Sequence, residues 1–165
     1  MDNKLYLNLE KDNLFNKMIL APHSELNNDI YVAVERFLRK NPVGDFKLSI
    51  YISELGEFMK EKFKELYKEH YKDEYRVIRR EMFHNNVRGA ILVAIAFGLI
   101  YLWFVLSHIY SNNVGLVVLG NMGVFFLWEI GSNYFVRLSL KQNLRLYKSA
   151  LNADIDFVNY KNKKG

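Results

Sequence analysis

The stretch "VRGAILVAIAFGLIYLWFVLSHIYSNNVGLVVLGNMGVFFLWEIGSNYFV" (residues 87–136) decides how the rest of this chain is read. From Val87 to Tyr110 its only full charge is Arg88, at the start; after Ser111, Asn112 and Asn113 a second apolar run continues to Val136. About 20 residues of helix cross a hydrocarbon layer ~30 Å thick, so each run is long enough. Three residues between them leave room only for a tight turn. The pattern predicts a membrane α-helical hairpin of two transmembrane helices, 87–110 and 114–136, with an extracytoplasmic turn at 111–113.

Orientation follows from the flanking cations, because short loops rich in Lys and Arg stay in the cytoplasm. Lys72, Arg76, Arg79, Arg80 and Arg88 precede the first span, Arg137, Lys141, Arg145 and Lys148 follow the second, and the turn carries none. Both termini are therefore expected in the cytoplasm. The first apolar run begins too far into the chain for a cleavable signal peptide. Residues 1–70 hold 11 basic and 12 acidic residues, whereas 71–165 hold 12 and 6, so the chain's net charge of +5 is juxtamembrane. Such cations attract anionic lipid headgroups by roughly 1 kcal/mol each. A nucleic-acid partner would instead need a basic face on the soluble part and is set aside. Arg76, Arg79, Arg80, Arg88, Arg137, Lys141 and Arg145 are the expected anchors. The absence of cysteine excludes disulfides and thiolate metal sites and fits a reducing compartment.

Outside the hairpin the pattern is that of a small α+β cytoplasmic head. "KLYLNLE" (4–10) alternates as a strand, with Leu5, Leu7 and Leu9 on one face. "LFNKMILAP" (14–22) is ambiguous between an extended piece and loop. Ser24 is a candidate N-cap for a helix to about Lys40, whose apolar face is Leu26, Ile30, Val34, Phe37 and Leu38. "NPVGD" (41–45) reads as a turn and "FKLSIYI" (46–52) as a second strand. Ser53 would cap a long helix carrying Leu55, Met59, Phe63, Tyr67, Tyr71, Tyr75, Ile78 and Met82. That spacing slightly exceeds one turn, so the stripe drifts and does not hold a coiled-coil seam. "RLSLKQNLRLYKSAL" (137–151) reads as an amphipathic helix on the membrane surface, and 154–158 as a short strand able to return to the head. The expected plan is thus a head (1–53), a long juxtamembrane helix (54–86), the hairpin, an amphipathic helix (137–151) and a tail (152–165).

Enzyme motifs are missing. No glycine-rich phosphate loop or Gly-x-Ser-x-Gly elbow occurs, and the histidines at 23, 70, 84 and 108 are scattered. "EMFH" (81–84) is one Glu-x-x-His step, where a di-iron bundle needs two such steps and further glutamates. Neither a cofactor nor a metal is expected, and the chain reads as non-enzymatic.

The second span holds one carboxylate, Glu129. At 100° per residue from Asn121, Ser132 falls at about 20°, Glu129 at about 80° and Asn133 at about 120°, one polar stripe on an apolar helix. No basic residue lies deeper than the cytoplasmic edge, so no partner for Glu129 is evident within one protomer. Three readings stay open: Trp128–Glu129 as the cytoplasmic interface, a polar pathway or interhelical site, and a protonated glutamate acting as hydrogen-bond glue. Ala90, Ala94 and Gly98 recur every four residues, and Gly120 and Gly131 add small positions on the second span. Small residues let helices approach closely in lipid, either within the hairpin or between protomers, and a homo-oligomer is expected.

Four segments carry a family resemblance: "NLF" (13–15), "DIYVAVERFLRKNP" (29–42), "YRVIRREM" (75–82) and "RLYKSAL" (145–151). In this order the chain resembles a group of bacterial two-span membrane proteins with a small N-terminal cytoplasmic domain. The resemblance implies the bacterial inner membrane and the same topology. In that group the second span ends in a tryptophan- and proline-rich pattern around a glutamate, whereas "LWEIGSNYFVRL" (127–138) has no proline. The leading functional expectation is an oligomeric pore or membrane-perturbing component, its second spans meeting at Glu129 under control of the head. The alternative is a membrane-anchored adaptor whose head binds a cytoplasmic protein.

Overall fold

The computed structural model describes residues 4–9, 14, 26–41, 45–52, 55–110 and 114–159. The expected caps Ser24 and Ser53, the 14–22 piece beyond Leu14, most of the 41–45 turn, the 111–113 turn and the 161–165 tail lie outside them. The elements are β1 (Lys4–Asn8), α1 (Asn28–Lys40), β2 (Lys47–Ile52), α2 (Glu57–Ile109), α3 (Val114–Leu151) and β3 (Asp154–Asn159). The chain is mostly helical, with one small sheet and two helices long and apolar enough to cross a membrane. It divides into two compact units, 1–76 with 144–165, and 77–143.

In the first unit the three strands form a sheet in the order β1-β2-β3, and both pairs are parallel. Parallel neighbours need a crossover. α1 supplies it between β1 and β2; between β2 and β3 the connection is the whole of α2 and α3. The head is therefore of the β-α-β kind, and the C-terminal strand does return to it, pairing with β2 at six positions from Lys47↔Asp154 to Ile52↔Asn159.

Alternation fixes which face is buried. Leu5, Leu7, Leu48, Ile50, Ile52, Ile155 and Phe157 point into a core that also takes Ile30, Val34 and Leu38 from α1. α2 adds Phe63, Tyr67 and Tyr71, each fully buried, and α3 adds Ala150. The step of four residues in α2 keeps these three rings on one face. Tyr67 and Tyr71 meet edge-on at 4.8 Å and Phe63 meets Phe157 edge-on at 5.5 Å, while Phe63 and Tyr67 lie nearly parallel, 6.3 Å apart.

Three expectations need correction. α1 begins at Asn28, capped by Asn27, whose side-chain oxygen accepts from the Asp29 amide at 3.1 Å. Leu26 precedes the helix but is still buried. The juxtamembrane helix is not separate, since α2 runs unbroken through it into the first apolar run. Nor is 137–151 a surface helix: it is the end of α3, and Leu146, Tyr147, Ala150 and Leu151 pack into the head core. Of the leucines in that segment, Leu146 and Leu151 pack against the core, while Leu138 is exposed.

In the second unit α2 and α3 run side by side. Gly89, Leu92, Ala96, Ile100 and Trp103 meet a face of α3 that includes Gly120, Gly123, Glu129 and Asn133. The steps of three and four residues along α2 are those of a knobs-into-holes seam. Most other residues on these stretches are exposed, with Leu99, Leu106, Leu119, Phe126 and Ile130 half-buried. Of the most apolar 18-residue window, 11% is buried in α2 and 6% in α3.

Candidate functional site

Polar side chains gather where the second unit's helices meet. Asn85 and Asn133 exchange hydrogen bonds: the Asn85 side-chain amide donates to the Asn133 carbonyl at 3.3 Å, and that of Asn133 to the Asn85 carbonyl at 3.2 Å. In an unbroken helix those carbonyls already accept from within their own helix. Each amide therefore adds a bond across the seam without breaking a ladder.

Gly89, one turn beyond Asn85, makes room for this exchange. A Cβ on Gly89 would lie 2.5 Å from Nδ2 of Asn133. Towards the turn two more glycines bring the helices together. A Cβ on Gly123 would meet Cγ1 of Ile100 at 2.9 Å, and one on Gly120 would meet the Trp103 ring at 3.2 Å.

Glu129 lies one turn from Asn133 on α3. Its Oε1 accepts from Nη2 of Arg88 at 2.7 Å. This overturns the expectation that Glu129 has no partner in its own protomer. Arg88, an expected lipid anchor, instead reaches the carboxylate with its long side chain. The Arg88 side chain is 65% exposed and that of Glu129 is 32% exposed, which puts the pair at the rim of the seam.

The polar stripe read from the sequence divides accordingly. Glu129 and Asn133 enter the seam, while Asn121 and Ser132 are exposed. The small residues divide as well: Gly120 is in the seam, but Ala90, Ala94, Gly98 and Gly131 face outward, with nothing within 4 Å of a Cβ on Gly98 or Gly131. The seam uses Gly89, Ala96 and Gly123 instead. Of the other expected anchors, Arg76 pairs with Asp73 at 3.1 Å, and Arg79, Arg80, Arg137, Lys141 and Arg145 are exposed.

Sequence reading missed Asn85 and Gly89. Their signal is the "NNVRG" segment (85–89), where an amide, a cation and a glycine share a little over one turn. Chemically, the cluster joins two helices by an ion pair and two hydrogen bonds from side-chain amides. Among the described residues no group of three or more His, Cys, Asp or Glu is placed to hold a metal ion.

Neither family models, nor curated proteins, nor solved structures give a match to this chain.

Proposed function

We propose that the chain is an integral protein of the bacterial inner membrane. Its hairpin crosses twice, and its head, held on the cytoplasmic face, acts as a protein-binding adaptor. The observation that carries this reading is the outward apolar surface of α2 and α3, almost none of it covered by the protein itself. Lipid is the medium in which such a surface costs nothing. The β2–β3 pairing supports an even number of crossings, because the strand before the hairpin and the strand after it lie in one sheet. The exposed cations Arg79, Arg80, Arg137 and Lys141 lie on the cytoplasmic side of both apolar runs in this reading, where anionic headgroups would attract them.

The adaptor reading is preferred to the pore because Glu129 is engaged by Arg88 and does not stand free for a shared axis. Asn121 and Ser132, which the pore would place beside it, turn away from the seam.

Thiol labelling tests the topology cleanly, since the chain has no cysteine of its own. Tyr110→Cys should react with an impermeant maleimide added outside intact cells, and Lys72→Cys only after the membrane is opened. Chain recovered in the soluble fraction, or Lys72→Cys labelled from outside, would overturn the reading.

A further inference from the structure

The sheet of the head has a second face, and it is unlike the first. Strand register places three rows on it: Lys4–Lys47–Asp154, Tyr6–Ser49–Asp156 and Asn8–Tyr51–Val158. The helix residues of the core all lie with the opposite, apolar set. All-parallel sheets are ordinarily covered on both faces, yet here, although Ser49 at the centre is buried among its neighbours, Tyr6 is 58% exposed and the Asp154 and Asp156 side chains are 77% and 50% exposed.

The charges on this face are laid out unevenly. Lys4 lies on one edge strand, Asp154 and Asp156 lie on the other, and Lys47 between them already bonds Asp156 at 3.1 Å and Asp154 at 3.9 Å. A two-fold axis running along β2 carries β1 of one copy over β3 of the other. Lys4 then faces Asp154 of the second copy, the Tyr6 hydroxyl faces the carboxylate of Asp156, and Tyr51 meets Tyr51. The pattern is self-complementary, as an isologous contact requires. The two Lys47 ammonium groups also meet near the axis, each already held by its own two aspartates.

We propose that the polar face of the head sheet is the docking surface for a second copy of this chain, two heads stacking face to face about β2. Three strands ~4.8 Å apart and about five residues long offer only ~250 Å². A stable complex in solution buries about 800 Å² per partner. The contact therefore needs tethering in one membrane to raise its effective concentration, and in this respect it rests on the membrane reading above.

Cross-linking of the full chain in lipid vesicles tests it. Tyr6→Cys and Asp156→Cys proteins are mixed and treated with a bifunctional thiol reagent spanning ~10 Å, the separation of stacked sheets. The mixture should give several-fold more dimer than either variant alone. Lys4→Glu in both chains should abolish the product, and adding Asp154→Lys should restore it. Equal cross-linking of Tyr6→Cys with itself would overturn the arrangement. So would a mixture no better than a Phe58→Cys control, or protection of Tyr6→Cys in native membranes by a different protein. Membrane-bound chain without the mixed product overturns this inference alone, whereas chain that does not enter vesicles overturns the membrane reading with it.

Discussion

Asn133 stands against Gly89 across the hairpin, with its side-chain nitrogen 2.5 Å from where a Cβ on that glycine would lie. The Asn133 amide must shift if residue 89 has a side chain, which weakens its bond to the Asn85 carbonyl. Gly89→Ala should therefore loosen the hairpin by about 1–3 kcal/mol, the scale of an overpacked contact with a weakened hydrogen bond. Asn133→Ala in the same chain should remove most of the added loss. Gly98→Ala is the control: nothing lies within 4 Å of its Cβ, and alanine favours helix by roughly 1 kcal/mol. Unfolding of the full chain in mild detergent checks all three, and equal losses from Gly89→Ala and Gly98→Ala would defeat the assignment.

The Arg88–Glu129 pair is half-exposed, and such pairs contribute about 0.2–1 kcal/mol in water. Arg88→Gln should cost more than Glu129→Gln, because it strands the more buried partner. A double-mutant cycle should return a favourable coupling of up to about 1 kcal/mol. Strict additivity would mean that the two groups do not interact.

Much of the fold was legible because its signals are local. Leu5 and Leu7 alternate as one face of a strand, and Phe63, Tyr67 and Tyr71 recur at one helical face; both land in the core as read. What was not legible depends on residues distant in sequence. Nothing within 4–8 or 47–52 says that the two strands run parallel, since the pairing is set by the crossover between them. Small residues lie on two faces of α2, and the four-residue repeat of Ala90, Ala94 and Gly98 picks out the outward one. The seam follows a three-four step through Gly89, Leu92 and Ala96. Glu129 looked unpartnered because its cation comes from 41 residues earlier.

Burial pushes the phenols of Tyr67 and Tyr71 well above their ordinary value near 10, with neighbouring tyrosines adding to the shift. The native state keeps these protons while the unfolded chain releases them. Stability is thus whole below pH ~10 and falls above it, by about 1.4 kcal/mol per pH unit for each tyrosine. Tyr67 and Tyr71 changed together to Phe should flatten that decline. At neutral pH Tyr67→Phe alone should be neutral or stabilising by about 1 kcal/mol, since its buried hydroxyl has no hydrogen-bond partner among the described residues. Near-ultraviolet dichroism from pH 7 to 12 follows both effects, and an unchanged slope in the double variant would refute the cause given.

The C-terminal strand is the part of the head whose contribution is easiest to isolate. Phe157 on β3 meets Phe63 of α2 edge-on at 5.5 Å, and the strand pairs with β2 along its whole length. Removing the ring takes apolar surface from a partly buried site and ends an aromatic contact, so Phe157→Ala should cost about 2–4 kcal/mol. Val158 lies on the opposite face of the same strand beside Tyr51. Val158→Ala should cost less than half as much. Pulse proteolysis of the full chain in detergent separates the two, with cleavage in the head as the readout. If the two variants lose the same stability, β3 is held by its backbone ladder alone and the Phe63–Phe157 contact adds nothing. If Phe157→Ala is much the worse, the sheet is closed by a side chain lying beyond both apolar helices in the sequence, and the head completes its core only after the hairpin has been made.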